Sequence, residues 1–391
     1  MTLNASSGLN IMIYFDNAAT SLPKPPAVGL AVLEAINTFG GAGRGGHPAS
    51  LAATRCIFQA RKAVAELLGV SVDQTVFTAN ATESLNIAIA GLLTPEDHVI
   101  TTALEHNSVL RPLYKLRSQG MGLSIIGCDQ QGNLDYDGFR RCLRSNTKAV
   151  VCTHASNLTG ILTDLDFIVG FCKKNDLRLI VDASQTAGVF PICADKLGID
   201  VLCFTGHKGL LGPQGTGGLC IRKGLAVRPL KVGGSGIHSY SEIHPADMPE
   251  ALEAGTANAH GIAGLLAGVE YILATGMDTI RNRELELAKR FRQGIAAIPG
   301  VRIYGDPTRP HAPIVTLNIG SLDSGEVGDR LATLYDICVR SGAHCAPLAH
   351  LALGTREQGA VRFSFSSFNT EEEIQKGIRA IAAIAAEGEQ G

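Results

Sequence analysis

The chain has 391 residues, 45% of them apolar and 18% charged, with a formal net charge of −2. That balance leaves no basic footprint for nucleic acid or an anionic membrane, and no run of about 18 apolar residues reads as a span, so neither is expected as a partner. Ten scattered cysteines with no CxxC pair argue against a zinc or iron–sulfur centre, so no metal is expected, and free thiols at this density suit a reducing cytoplasm.

Along the chain, Met1 to Met12 reads as a short unstructured lead-in. Gly41-Ala-Gly43-Arg-Gly45-Gly46 satisfies GxGxxG, but a helical stretch precedes it where a dinucleotide site needs a strand. Ser50 is placed to cap a helix with Ile57, Ala60, Val64 and Leu67/Leu68 on one face, and Gly69 stops it. Strand-like apolar runs follow at Thr75–Thr78, Val99–Thr102, Leu123–Ile126, Ala149–Thr153, Leu177–Val181, Val201–Phe204 and Gly218–Ile221. Helical patterns fill most of the gaps, at Glu83–Leu92, Tyr136–Leu143 and Leu165–Lys174. Such alternation predicts an α/β fold with a mostly parallel seven-stranded sheet covered by helices on both faces. Ala263–Ala274 reads as a small-residue helix packed closely on another domain, Arg281–Ala297 as a charged amphipathic helix. Runs at Ile314–Ile319 and Val361–Phe365 and a closing helix complete a smaller α+β domain. The expected division is 26–262 for the large domain, with 1–25 and 263–391 forming the small one.

Ligands of open α/β sheets bind beyond the carboxyl ends of the strands. Five consecutive strand ends carry polar groups here: Ala79-Asn80-Ala81-Thr82-Glu83, Glu105-His106-Asn107, His154-Ala155-Ser156-Asn157, Asp182-Ala183-Ser184-Gln185 and Thr205-Gly206-His207-Lys208. At Ala81-Thr82, free N–H groups and a hydroxyl opening a helix suit a phosphate, with Asn80 and Glu83 as a capping box. Asp182 ends an apolar strand, where a pyridinium N–H would partner its carboxylate and make the ring an electron sink. Lys208, 26 residues on and one strand later, can lose its proton when desolvated and become an imine-forming nucleophile. Together these point to pyridoxal 5'-phosphate held by Lys208 as a Schiff base. The glycine-rich segment Gly212–Gly218 lacks a GK[ST] ending and reads as a loop bending close to that cofactor rather than a nucleotide loop.

With those residues in view, the chain resembles the cysteine desulfurases, a class V aminotransferase-fold (fold-type I) group of pyridoxal-phosphate enzymes. The resemblance also rests on Phe15-Asp16-Asn17-Ala18-Ala19-Thr20, Ala81-Thr82-Glu83-Ser84, Glu105-His106-Asn107-Ser108, His154-x-Ser156-Asn157-x-Thr159-Gly160, Glu253-Ala254-Gly255-Thr256 and Arg340-Ser-Gly-Ala-His344-Cys345-Ala346. It implies that His106 stacks on the pyridine ring, Gln185 contacts its phenolic oxygen, and Thr82, Thr205 and His207 hold the phosphate. Thr256 would reach the phosphate of the neighbouring subunit in a homodimer. Asn157 and Arg362 would clamp the substrate carboxylate, and His47 would line the substrate mouth beside Arg340. Lys208 would also move the substrate's α-proton.

Cys345 separates this group from its relatives. By the resemblance it attacks the sulfur of L-cysteine, keeps it as a persulfide and passes it to an acceptor protein or small thiol, while alanine leaves. Its neighbours Arg340, Gly342 and His344 read as a polar, mobile loop with cationic groups that favour a thiolate, whereas Cys152, Cys203 and Cys220 lie in apolar strands and read as core. His238, His244, His311 and His350 are unclustered and read as surface or loop residues, His350 being near enough to Cys345 to have another role. The short loop from Ala343 to His350 resembles the compact-loop desulfurases, but Pro347-Leu-Ala-His350 departs from their pattern. Three alternatives stay open: a selenocysteine lyase acting on L-selenocysteine, another class V aminotransferase or C–S lyase with Cys345 incidental, and a cofactor-bearing sulfur-transfer scaffold that depends on a partner.

Overall fold

The computed structural model describes residues 12–43 and 45–388. Most of the expected lead-in and Arg44 of the glycine-rich run lie outside the described residues. The first half of the chain runs β1 (Ile13–Tyr14), α1 (Pro26–Thr38), α2 (Pro48–Leu68), β2 (Thr75–Thr78), α3 (Ala81–Leu92), β3 (His98–Thr102), α4 (Asn107–Arg117), β4 (Gly122–Ile126), α5 (Tyr136–Arg141) and β5 (Thr147–Thr153). α6 (Leu165–Lys174), β6 (Arg178–Asp182), α7 (Ala194–Leu197), β7 (Val201–Thr205) and β8 (Gly217–Ile221) complete the large sheet and its cover.

The seven apolar runs all become strands of one sheet, ordered β2-β8-β7-β6-β5-β3-β4. β3 to β7 pair in parallel, while β8 runs antiparallel to both β7 and β2. The parallel strands read as unbroken apolar runs because helices bury both of their faces: Val150, Leu179, Val181, Leu202 and Phe204 face one core, and Val151, Ile180, Val201 and Cys203 the other. Gly217 has a steric reason, since a Cβ there would sit 2.6 Å from the Asn80 Cα.

The sequence reading erred at the start of α2. His47, not Ser50, is the cap: its side chain accepts from the Ser50 N–H at 3.3 Å, and Ser50 lies buried inside the helix with its hydroxyl on the Gly41 carbonyl. Gly69 ends α2 in the left-handed region (φ 65°) as expected.

The remainder runs α8 (Ala259–Thr275), α9 (Met277–Ile295), β9 (Val301–Tyr304), β10 (Ile314–Ile319), α10 (Ser324–Tyr335), β11 (Ile337–Cys338), β12 (Arg340–Gly342), α11 (Pro347–Leu353), β13 (Ala360–Ser364) and α12 (Glu371–Gly388). Its antiparallel sheet, β12-β13-β10-β9, is covered by α9, α10 and α12, and β1 pairs with β11. Phe15, Phe291, Phe363 and Phe365 fill that core, with the rings of Phe291 and Phe363 centred 4.6 Å apart. The division expected at residue 263 falls inside α8. Ile262, Leu265, Val269 and Ile272 of that helix pack in the core of the large sheet, and the change of layer comes at the 87° bend between α8 and α9.

Candidate active site

The carboxyl ends of β2, β3, β5, β6 and β7 open on one cleft of about 220 Å³, closed on its far side by β12, β13 and the turn before α11. It brings together Ala81, Thr82, His106, Asn157, Asp182, Gln185, Thr205, His207, Lys208, Arg340, Cys345 and Arg362. Adjacent parallel strands end at similar heights, so residues far apart in sequence arrive at one rim.

Lys208 is half-buried at the base, just past β7. Removal from water, and next the Arg362 guanidinium, lowers its ammonium to about 8. Asp182, 4% exposed, accepts from the Ser184 backbone N–H at 2.9 Å and from the Ser184 hydroxyl, which orients the carboxylate. Gln185 donates from its amide to the Ala18 carbonyl at 3.1 Å. At the opening of α3, Asn80 caps the Glu83 N–H at 3.0 Å, and Glu83 reaches back to the Ala79 N–H at 2.7 Å, one residue before the position a standard capping box uses.

His106 caps α4. Its Nδ1 accepts from the Ser108 N–H at 3.0 Å, and the Ser108 hydroxyl bridges His106 Nδ1 and Thr82 Oγ1 at 2.8 Å each. Burial drives His106 down to about 4, so the ring is neutral. Ser108 and Ser184 were not foreseen as site residues; each lies two positions after a strand-end residue whose side chain it orients, a spacing that was the available signal.

Arg362, on β13, donates from Nη1 to the Asn157 carbonyl at 2.8 Å and from Nη2 to Asp16 at 3.0 Å, while its Nε–H is buried without an acceptor. Asn157 Oδ1 is likewise buried and unpartnered, and its amide donates to the His344 carbonyl at 2.7 Å. The pair expected to hold a carboxylate therefore also ties the two sheets together.

Cys345 is exposed, in a turn whose backbone is hydrogen-bonded to the large sheet's side of the cleft. His344 and Cys345 both adopt left-handed backbone (φ 51° and 53°), and both carbonyls are engaged, that of Cys345 by the Asn107 N–H at 2.8 Å. His344 turns its ring inward, where burial first and Arg362 second push it down to about 3, so it supplies no cation. The fixed positive charges of the cleft are Arg340 and Arg362. His350 is corrected: it is buried, and it meets His344. Cys152, Cys203 and Cys220 are buried as expected, their thiols pushed up by burial.

Two expected site residues lie elsewhere. His47, the α2 cap, does not line the cleft, because its ring is committed to its own helix. Thr256 is exposed on a separate depression, in a segment anchored by Glu253. That carboxylate takes both Nη groups of Arg61 at 2.6 and 2.8 Å and the Phe77 N–H at 2.6 Å.

A lowered lysine and a strand-end carboxylate at the switch face of a doubly wound sheet, with an antiparallel domain closing the cleft, define an enzyme of the aminotransferase class-V family, whose family model matches residues 13–376. Within that family the chain belongs to the cysteine desulfurases. It is 34% identical to a probable cysteine desulfurase of Methanothermobacter thermautotrophicus, over 96% of this chain and 95% of the relative. It is 35% identical to one from Pyrococcus abyssi, over 93% and 92%. The solved cysteine desulfurase of Thermococcus onnurineus NA1 superposes with a TM-score of 0.90 at 34% identity, covering 96% of this chain and 95% of that one.

Proposed function

We propose that this chain is a pyridoxal-phosphate-dependent desulfurase that converts L-cysteine to L-alanine and stores the sulfur as a persulfide on Cys345. The observation that carries the reading is the exposed thiol of Cys345, held on the rim of the cleft that has Lys208 at its base.

The cofactor fits the cleft on two counts. Thr205 Oγ1 and His207 Nδ1 are buried with no partner among the described residues, an uncompensated cost that a phosphate group would relieve, beside the N–H groups opening α3. Asp182 would hold the ring nitrogen, Gln185 the phenolic oxygen, Thr82, Thr205 and His207 the phosphate, His106 one ring face, and Lys208 the aldehyde carbon. When bound, pyridoxal phosphate supplies an electron sink for the substrate's α-carbon.

Lys208, with its lowered proton affinity, takes the α-proton near neutral pH. Arg362 orients the substrate carboxylate through its unpartnered Nε–H, Asn157 through the second hydrogen of the amide group that already donates to the His344 carbonyl, and His106, being neutral, adds no charge to the cleft. The Cys345 thiolate forms an S–S bond to the substrate sulfur as the substrate's Cβ–S bond breaks. That electron pair leaves with the carbon skeleton, which gains a proton and departs as alanine.

The homodimer belongs to the same reading. Leu30, Leu33 and Ile36 on α1, Phe58 on α2, and Leu230, Val232, Tyr240 and Ile243 are large exposed apolar side chains that suit a subunit surface, and the anchored Thr256 is then available to a neighbour's phosphate site. Ten unpaired cysteines suit a reducing cytoplasm. The acceptor is a thiol, on a protein or a small molecule, that can reach the exposed Cys345.

The test compares alanine release from L-cysteine and L-selenocysteine by wild type and Cys345→Ala. Loss on L-cysteine alone supports desulfuration through Cys345. Equal activity of both proteins on both substrates sinks it, and activity only with an added partner protein favours a sulfur-transfer scaffold.

A further inference from the structure

Behind the Cys345 turn lies a polar chain that the reaction as derived does not use. His344 Nε2 is 3.1 Å from the Arg340 carbonyl, His344 Nδ1 is 3.4 Å from His350 Nε2, and His350 Nδ1 is 2.7 Å from the Thr355 hydroxyl. The two rings stack at 5.6 Å with 10° between their planes. His344, His350 and Thr355 are 5%, 2% and 1% exposed, so every one of these polar atoms depends on the next for a partner.

One assignment of protons satisfies the whole chain. The Arg340 carbonyl can only accept, so His344 Nε2 carries the hydrogen. Burial keeps that ring neutral, so its Nδ1 is bare and must accept. His350 Nε2 is then the donor, and its own bare Nδ1 accepts from the Thr355 hydroxyl. The Arg340 carbonyl thus sets the tautomer of His344, and the His350 N–H holds the orientation of its ring from the other side.

That orientation matters because His344 and Cys345 occupy consecutive left-handed positions, an arrangement side chains other than glycine resist and surrounding contacts must enforce. Asn157 and Asn107 hold the two carbonyls, and the Ala346 N–H closes the turn on the Ala343 carbonyl at 3.0 Å. The remaining freedom is rotation of the His344 side chain, restrained by the Arg340 carbonyl at Nε2 and by His350 at Nδ1.

We propose that His350, itself clamped by Thr355, is a positioning residue: by fixing His344 it holds the turn that presents the Cys345 thiol to the substrate sulfur. His350 does not line the cleft, so it acts through His344. The kinetic part of this inference rests on the desulfurase reading above; the structural part does not.

The experiment uses the cofactor-loaded enzyme with His350→Phe, which fills the space without a ring nitrogen, and His350→Gln, which retains an N–H near the Nε2 position. Thr355→Val, nearly isosteric, serves if His350→Phe fails to fold. The expected result for His350→Phe is a kcat on L-cysteine lowered about tenfold, the scale of one net hydrogen bond, with KM and cofactor content unchanged. His350→Gln should recover most of that loss, and Thr355→Val should show a smaller loss of the same kind. Amide hydrogen exchange across residues 340–350 should quicken in the Phe variant and not in the Gln variant. An unchanged kcat in His350→Phe, or an equal loss of kcat, KM and cofactor content in the Phe and Gln variants, overturns the proposal. If wild type releases no alanine from L-cysteine, the functional reading has failed, and the exchange contrast alone decides the anchor: no contrast overturns it.

Discussion

Asn157 donates from its side-chain amide to the His344 carbonyl at 2.7 Å, so a residue just beyond β5 of the large sheet is bonded to the turn that carries Cys345. Arg362 closes the loop by donating to the Asn157 carbonyl at 2.8 Å. Carboxylate recognition and thiol presentation therefore share Asn157, and its loss acts on both.

Asn157→Ala tests that coupling. It leaves the His344 carbonyl without its donor, a loss of about 1–3 kcal/mol for a buried group. We expect a higher KM for L-cysteine together with a lower kcat. A change in KM alone, with unaltered unfolding in urea, would show the two functions to be separate.

Buried Arg362 and half-buried Asp16 form an ion pair at 3.0 Å. Arg362→Leu takes from the Asp16 carboxylate a charge-assisted hydrogen bond of about 1.5–3 kcal/mol. The expected outcome is a lower denaturant midpoint for Arg362→Leu, much of which is recovered in the double variant with Asp16→Asn. Equal stabilities of single and double variants would exclude the pairing as the cause.

Lys208 has its ammonium lowered from 10.5 to about 8, chiefly by burial. The neutral amine is the nucleophile, so its reactive fraction in cofactor-free protein rises with pH and levels off above about 8 rather than near the ordinary lysine value. The rate of pyridoxal-phosphate uptake, followed by visible absorbance, should show that midpoint. Lys208→Ala should lower alanine release by about 10²- to 10⁴-fold, the range for losing a positioned acid–base group.

Glu284 is buried on α9, accepts from the Ser367 N–H at 3.1 Å, and is pushed by burial from 4.5 to about 8. Between those values the folded chain holds a proton that the unfolded chain has released. Its contribution is therefore full below about 4.5 and is lost as pH rises toward 8. Glu284→Gln should leave stability near pH 4 unchanged and raise it, relative to wild type, at pH 8. A constant difference across that range, measured by urea unfolding, would contradict the assignment.

Apolar runs alone placed all seven strands of the large sheet to within two residues at each end, because a strand buried on both faces must be largely apolar. The polar residues just past those strands could be read as a site for the same reason: parallel strands deliver their carboxyl ends to one rim. Short elements escaped. β11 and β12 have two and three residues, too few to show a period, and α4 carries Pro112 in its interior.

The nearness of Cys345 to Lys208 was legible only through family resemblance, since 137 residues separate them and no local pattern brings them together; the docking of β12 and β13 over the sheet does that. His47 shows the converse, a motif residue whose ring is used by its own helix cap. The partnering of His344 with His350 was invisible in sequence, because it requires the left-handed turn at His344 and Cys345 to bring the His350 ring of α11 back against His344. What the sequence determined by itself was the strand order of chemistry along one rim, a consequence of burial. What only the tertiary structure decided was which polar groups meet across the cleft, a consequence of how two separately buried cores pack against each other.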